Sequence, residues 1–214
     1  MKSVLIIGAG QFGCHIAKRM REMRCEIMMI DTSEERINSV LPYVTNAQIG
    51  DSTNADFMET LGIPDFDVCI VTISGNFQNS LETTALLREL GAKRVISRAQ
   101  NDVQEKFLLR NGADETVYPE KQTAVRLATR AASDSILDYI QMDKNVSIYE
   151  ISVPKAWDGK SAAQLDIRRR FRLNIIAVRE ETGLTIPMAD TVLRANDSVL
   201  VIGSLKDVEK ACHG

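Results

Sequence analysis

Near the start of the chain, Gly8-Ala9-Gly10-Gln11-Phe12-Gly13 has the spacing G-x-G-x-x-G. It follows a short apolar run, residues 4–7, that reads as a buried strand. It opens a stretch with helical spacing, marked by Phe12, Ile16, Met20 and Met23. In that strand-to-helix context the first glycine permits a sharp turn. The second lets the backbone approach a diphosphate, and the third lets helix and strand pack closely. Free N–H groups at the helix start then face phosphate oxygens. Asp31 stands 18 residues after Gly13, at the end of a second apolar run. A carboxylate there accepts hydrogen bonds from both ribose hydroxyls and repels a 2′-phosphate, which disfavours NADP. Its other reading is a helix cap. Thr32 beside it, and Arg36 on the helix that Ser33 can cap, belong to the same end of the candidate site.

Three further groups fall where later strands end. Gly50-Asp51-Ser52-Thr53 closes the third strand, and Asp51 either reaches an adenine or caps the next helix. Thr72-Ile73-Ser74-Gly75-Asn76 closes the fourth, where small residues let a nucleotide approach. Arg98 closes the fifth and either meets a phosphate or is a surface arginine. His15 and His213 are the only histidines, and neither is placed for acid–base catalysis, so the chain reads as a binding protein rather than an enzyme. The competing reading is a small NAD-dependent oxidoreductase.

The elements that must hold these residues alternate with little interruption over residues 1–120. Apolar runs at 4–7, 26–30, 46–49, 67–73, 94–97 and 115–118 read as strands. Helical segments at 11–23, 33–41, 55–61, 77–90 and 103–111 separate them. Parallel strands need such crossovers, and six strands in this rhythm fit the doubly wound order 3-2-1-4-5-6, with a ligand crevice between the first and fourth. Residues 120–141 then read as one long helix, with Val125, Ala128, Ala132, Ile136 and Tyr139 in a stripe and Asp143-Lys144 as its stop. The remaining seventy or so residues change character. Strands are expected at 146–153, 174–179, 185–187 and 198–203, a helix capped by Ser161 over 159–170, and a closing helix at 205–211. The expected architecture is therefore α/β: a Rossmann-type nucleotide-binding domain (1–120), a crossover helix (121–143) and a small α+β C-terminal domain (144–214).

The totals narrow the function. The net charge of -3 gives no global electrostatic case for nucleic acid. Cys14, Cys25, Cys69 and Cys212 show no CxxC spacing and read as reduced cytosolic thiols. The apolar residues 4–7 run straight into a glycine loop, so no signal peptide is expected, and no apolar stretch approaches the roughly 20 residues of a membrane helix. The basic run Arg168, Arg169, Arg170, Arg172 is either a solvated helix face or a site for an anion.

Taken in order, Gly8 to Gly13, Asp31, Gly50-Asp51-Ser52-Thr53, Ser97-Arg98-Ala99-Gln100-Asn101, Gly112-Ala113-Asp114 and Tyr118-Pro119-Glu120-Lys121 resemble an RCK domain of the TrkA/KtrA type. The tail, with Leu165, Ile176-Ala177-Val178 and Asp197-Ser198-Val199-Leu200, is similar to the smaller RCK C-terminal domain. The resemblance implies a cytoplasmic regulatory subunit, peripheral to the inner face of the membrane. It implies homodimers assembled into an octameric ring beneath a potassium-transporting TrkH/KtrB-like subunit. NAD(H), ATP and ADP are the ligands it implies, and Gln11, where KtrA-like members have Arg, favours NAD(H). It also implies a divalent cation near Glu120, whose other reading is a helix-start glutamate. Last, it implies cyclic di-AMP at the C-terminal domain near Arg168.

Overall fold

A computed structural model describes residues 1–143 and 145–213. The chain divides into two compact units, Met1–Glu120 and Lys121–Gly214.

The first unit is a six-stranded parallel sheet, β1 (Ser3–Ile7), β2 (Glu26–Asp31), β3 (Asn46–Ile49), β4 (Val68–Val71), β5 (Val95–Arg98) and β6 (Glu115–Val117). Its spatial order is β3-β2-β1-β4-β5-β6, the expected doubly wound arrangement. Alternation along β1 shows why both faces are covered. Val4 and Ile6 join Ile27, Met29, Val68 and Ile70 on one side. Leu5 and Ile7 join Ile30, Cys69 and Val71 on the other. Helices α1 (Gln11–Glu22) and α2 (Glu34–Val40) close the first side through Ala17, Ile37 and Val40. Helices α3 (Ala55–Glu59) and α4 (Phe77–Glu89) close the second through Met58 and Leu87. Each fully buried aliphatic side chain contributes roughly 1.5–3 kcal/mol. Burial also pushes the Cys69 thiol up to about 12, so it stays protonated and packs as an apolar residue. Helix α5 (Asp102–Arg110) is capped by Asn101, whose side chain accepts from the N–H of Val103 and of Gln104.

The second unit departs from the sequence reading at three places. The long helix over 120–141 is instead α6 (Pro119–Ala131) followed by a strand, β7 (Ile136–Gln141). Ser133, Asp134 and Ser135 interrupt the helix with side chains that compete for backbone groups. The apolar residues beyond fit a strand equally well once a partner is available. That partner is β8 (Ser147–Ser152), with Tyr139 opposite Tyr149 and their ring centroids 5.3 Å apart. Lys144, half of the expected stop, lies outside the described residues.

The helix over 159–170 is two short ones. Ser161 does cap α7 (Ala162–Leu165), in a reciprocal box with Gln164. Asp166 then turns left-handed at φ 42° before α8 (Ile167–Phe171), so that Leu165, Ile167 and Phe171 all reach the core beside Trp157. The strand placed at 185–187 lies at β10 (Gly183–Thr185), because Gly183 at φ 132° completes the hairpin with β9 (Asn174–Glu180) and Pro187 has no N–H for a ladder. With β11 (Ser198–Gly203) the antiparallel order is β10-β9-β11-β8-β7, and α9 (Leu205–His213) closes the core through Val208 and Ala211.

Two bidentate ion pairs brace this sheet. Arg179 Nε and Nη2 meet Glu150 at 2.6 and 3.3 Å, and Arg126 Nε and Nη2 meet Asp138 at 2.8 and 2.5 Å. The arginine hydrogen bonds hold both carboxyls below the usual range. A lowered folded pKa stabilises above the unfolded pKa, and that stabilisation disappears as pH falls through the folded one. Urea resistance of the C-terminal unit is therefore expected to hold from pH 7 to about pH 5 and to fall below about pH 4. Glu150→Gln is expected to cost about 1 kcal/mol at pH 7 and to flatten that acid slope. An unchanged slope in urea melts across pH would contradict this.

Candidate functional site

β1 and β4 are neighbours whose following chains leave in opposite directions, and a cavity of about 210 Å³ opens there at the carboxyl ends of the strands. Of the residues singled out from sequence, Gly8, Gly10, Asp31, Thr32, Arg36, Asp51, Ser52, Ile73, Ser74 and Asn76 line it. Ala9, Gln11, Phe12, Gly13, Thr53, Gly75 and Arg98 do not line it. Ile7, Ile30, Gly50, Thr72 and Asn79 line it as well. Asn79 lies three residues beyond Asn76, the cap of α4, and that helical spacing was the signal for it.

The three glycines have different surroundings. Gly8 is left-handed at φ 107° and makes the turn out of β1. A Cβ on Gly10 would meet nothing within 4 Å, so no protein contact demands glycine there, and Gly10 lines the cavity. A Cβ on Gly13 would run into the Gly8 carbonyl oxygen and lie 2.9 Å from Thr72 Oγ1. Thr72 fixes this knot by donating its hydroxyl to Gly8 O at 2.7 Å. Gly10 is the N-cap of α1, with no side-chain cap and no acidic residue in the first turn, so the helix presents N–H groups and positive partial charge without a protein acceptor of that kind.

Asp31 is only 7% exposed, and its carboxylate is held from two sides. Ala9 N–H donates to Oδ2 and Ser33 N–H to Oδ1, both at 2.8 Å, and Arg36 Nη1 approaches Oδ2 at 3.3 Å. The cap of α2 is Ser33, so Asp31 is not the helix cap. Oδ1, with one partner, keeps a lone pair for a donor in the cavity, and Oδ2 gains one where Arg36 gives way. Asp51 likewise does not cap α3, whose cap is Asn54. Its Oδ1 accepts from Thr53 N–H at 2.9 Å and Thr53 Oγ1 at 2.8 Å, and the backbone bond first and the hydroxyl second hold the carboxyl below its usual range.

Arg98 stands apart from the cavity lining, against the Phe12 ring. Its side chain is 14% exposed, and its guanidinium lies 5.3 Å from the Phe12 ring centroid and donates from Nη2 to Glu120 Oε1. The Glu120 carboxyl is held low first by its own backbone N–H and then by Arg98. Among the described residues no three His, Cys, Asp or Glu side chains gather as a metal site, and Arg98 and Glu120 occupy each other. In the second unit, Arg168 borders a separate cavity of about 270 Å³ with Ala162, Asn174, Ile175 and Pro187. Arg169 and Arg170 lie outside it, on the exposed side of α8. No helix among the described residues is long and apolar enough to cross a membrane.

Comparison with known proteins places this geometry. Residues 4–119 match the TrkA-N domain, and residues 146–213 match the TrkA-C domain. The chain is 36% identical over 210 residues to Ktr system potassium uptake protein C of Bacillus subtilis, covering 98% of this chain and 95% of that protein. Its fold is similar to the GsuK RCK domain (TM-score 0.72, 20% identity, 100% of this chain and 48% of that one). It is also similar to the GsuK channel bound to NAD (TM-score 0.68, 19% identity, 98% and 38%). With both domains matched in order along the chain, this protein belongs to the TrkA-N/TrkA-C family that includes the Ktr system potassium uptake proteins.

Proposed function

We propose that this chain is a nucleotide-responsive regulatory subunit of a potassium uptake system. The observation that carries the reading is the buried, backbone-held Asp31 facing a cavity beside an uncapped helix N-terminus, in a chain of this family. Asp31 serves the ribose hydroxyls, Gly10 gives a diphosphate room, and Thr32, Arg36, Asp51, Ser74 and Asn76 complete the pocket. The ligand is an adenine nucleotide, NAD(H) or ATP/ADP. Residues 1–120 act as the nucleotide domain and 144–214 as the regulatory domain. Neither His15 nor His213 borders the cavity, which supports binding without turnover over the oxidoreductase alternative.

The rest of the reading concerns assembly. No residue of α6 is buried within the chain, and Val125 and Leu127 are exposed on it, which supports packing against a second copy. We infer homodimers that build an octameric ring at the cytoplasmic face of a potassium-transporting membrane subunit. A ligand shifts such a ring only by its different affinity for two shapes. A divalent cation at Glu120, and cyclic di-AMP at the Arg168 cavity, are the further effectors the reading includes. The test is potassium flux through a co-reconstituted membrane subunit, together with light scattering of the soluble chain. Flux is expected to change with the nucleotide supplied, and the mass to exceed a dimer's. Flux indifferent to NADH, ADP and ATP, or a monomer turning over a small substrate, would overturn it.

A further inference from the structure

Arginine pairs best with a two-oxygen acceptor when Nε–H and the adjacent Nη2–H point at it together. Arg126 and Arg179 engage their carboxylates in this way, although both side chains are about half exposed. Arg98 does not. It is the more buried side chain, yet it meets Glu120 through Nη2 alone, and its Nε is buried without a hydrogen-bond partner. A buried donor left unpaired is costly, so this pair is incomplete as it stands. The guanidinium lies 5.3 Å from the ring centroid of Phe12, a residue of the first turn of α1, the helix whose start Gly10 caps without a side chain. What the Arg98 fork lacks is an acceptor with two oxygens that meets Nε and Nη2 together.

We propose that Arg98 is the residue that reads a free terminal phosphate, leaving Glu120 to take it with Nε and Nη2 together. The inference rests on the nucleotide reading of the cavity and adds the discrimination among nucleotides. A nucleoside di- or triphosphate carries such a terminal group, and a dinucleotide does not. With a dinucleotide the Arg98–Glu120 pair persists. With ADP or ATP it opens, and the carboxylate at the first turn of α6 is freed from the end of β5. The charge of the ligand is thereby reported at Glu120, from which α6 runs on towards the rest of the chain.

The experiment is calorimetry on the full chain in EDTA, so that no divalent cation contributes, with adenosine, NAD, ADP and ATP. Glu120→Gln removes the competitor, and ADP and ATP are expected to tighten about two- to fivefold, as for an exposed ion pair. Adenosine and NAD should not change. Arg98→Gln should weaken ADP and ATP about tenfold or more and leave adenosine as it was, while Arg98→Lys recovers part of the loss. The double variant should match Arg98→Gln, since the two changes act on one pair. Glu120→Gln without effect on ATP in EDTA would overturn the exchange, as would Arg98→Gln weakening adenosine and ATP alike. If the unaltered chain binds none of the four ligands, the nucleotide reading falls as well. Hydrogen exchange gives an independent readout: the first turn of α6 should exchange faster with ADP bound than with NAD bound.

Discussion

Asp31→Ala is expected to weaken adenine-nucleotide binding at least tenfold. Two ribose hydrogen bonds to a charged acceptor disappear, each class of bond contributing roughly 1.5–3 kcal/mol. The effect has a second part. The carboxylate also receives the N–H groups of Ala9 and Ser33, at 2.8 Å each. Alanine leaves both donors without it, and the loop that carries Gly8 and Gly10 is tied to the end of β2 only by the Gly8 N–H to Ile30 O bond at 2.7 Å. Asp31→Asn separates the two parts. It keeps an oxygen for one N–H but loses the charge, so its nucleotide affinity should fall while its melting temperature stays closer to that of the unaltered chain. Calorimetry with NAD and ADP reads the first effect and thermal melting the second. Unchanged affinity in Asp31→Ala would remove the ribose assignment.

Gly13→Ala is expected to lower the melting temperature of the nucleotide-binding unit by roughly 10 °C. The added methyl group collides with the Gly8 carbonyl oxygen, a backbone atom, and crowds Thr72 Oγ1 at 2.9 Å. Neither can step aside cheaply, because Thr72 is bonded to that same carbonyl and Gly8 is already left-handed. Overpacking of this kind costs typically 1–3 kcal/mol, and a clash with backbone belongs at about the upper end. Gly10→Ala is the contrast: its methyl group enters open space, so the fold should melt as before while the nucleotide loses room. Equal melting curves for Gly13→Ala and the unaltered chain would show that α1 is not seated as described.

Much of this was legible in the sequence, for identifiable reasons. The central strands β1 and β4 are buried on both faces, and the strands alternate with helices at a regular rhythm, so the doubly wound order could be read from that rhythm. Asp31 and the glycine loop lie close in sequence to the turns that aim them. Thr72 was visible at a strand end, but its bond to Gly8 joins residues 64 positions apart, and no local pattern encodes that. Residues 136–141 carry apolar side chains compatible with either a helix or a strand. What decides is β8, which comes later in the chain and supplies Tyr149 to Tyr139. The half-used fork of Arg98 was beyond reach for the same reason: an arginine at a strand end says nothing about which of its nitrogens is satisfied.

The strand that replaced the end of the expected long helix also moves a boundary. The TrkA-C match begins at Val146, but β7, at Ile136–Gln141, is one of the two edge strands of the same sheet. A fragment cut at Val146 would leave Ser147–Ser152 as the rim, with a row of unmet backbone donors and acceptors and with Tyr149 stripped of its neighbour. Such a raw rim is a template for another chain to zip onto. The C-terminal half taken from Val146 would thus tend to stick to itself through a newly made edge, whereas one taken from before Ile136 keeps the edge strand of the whole chain and the Tyr139–Tyr149 pair.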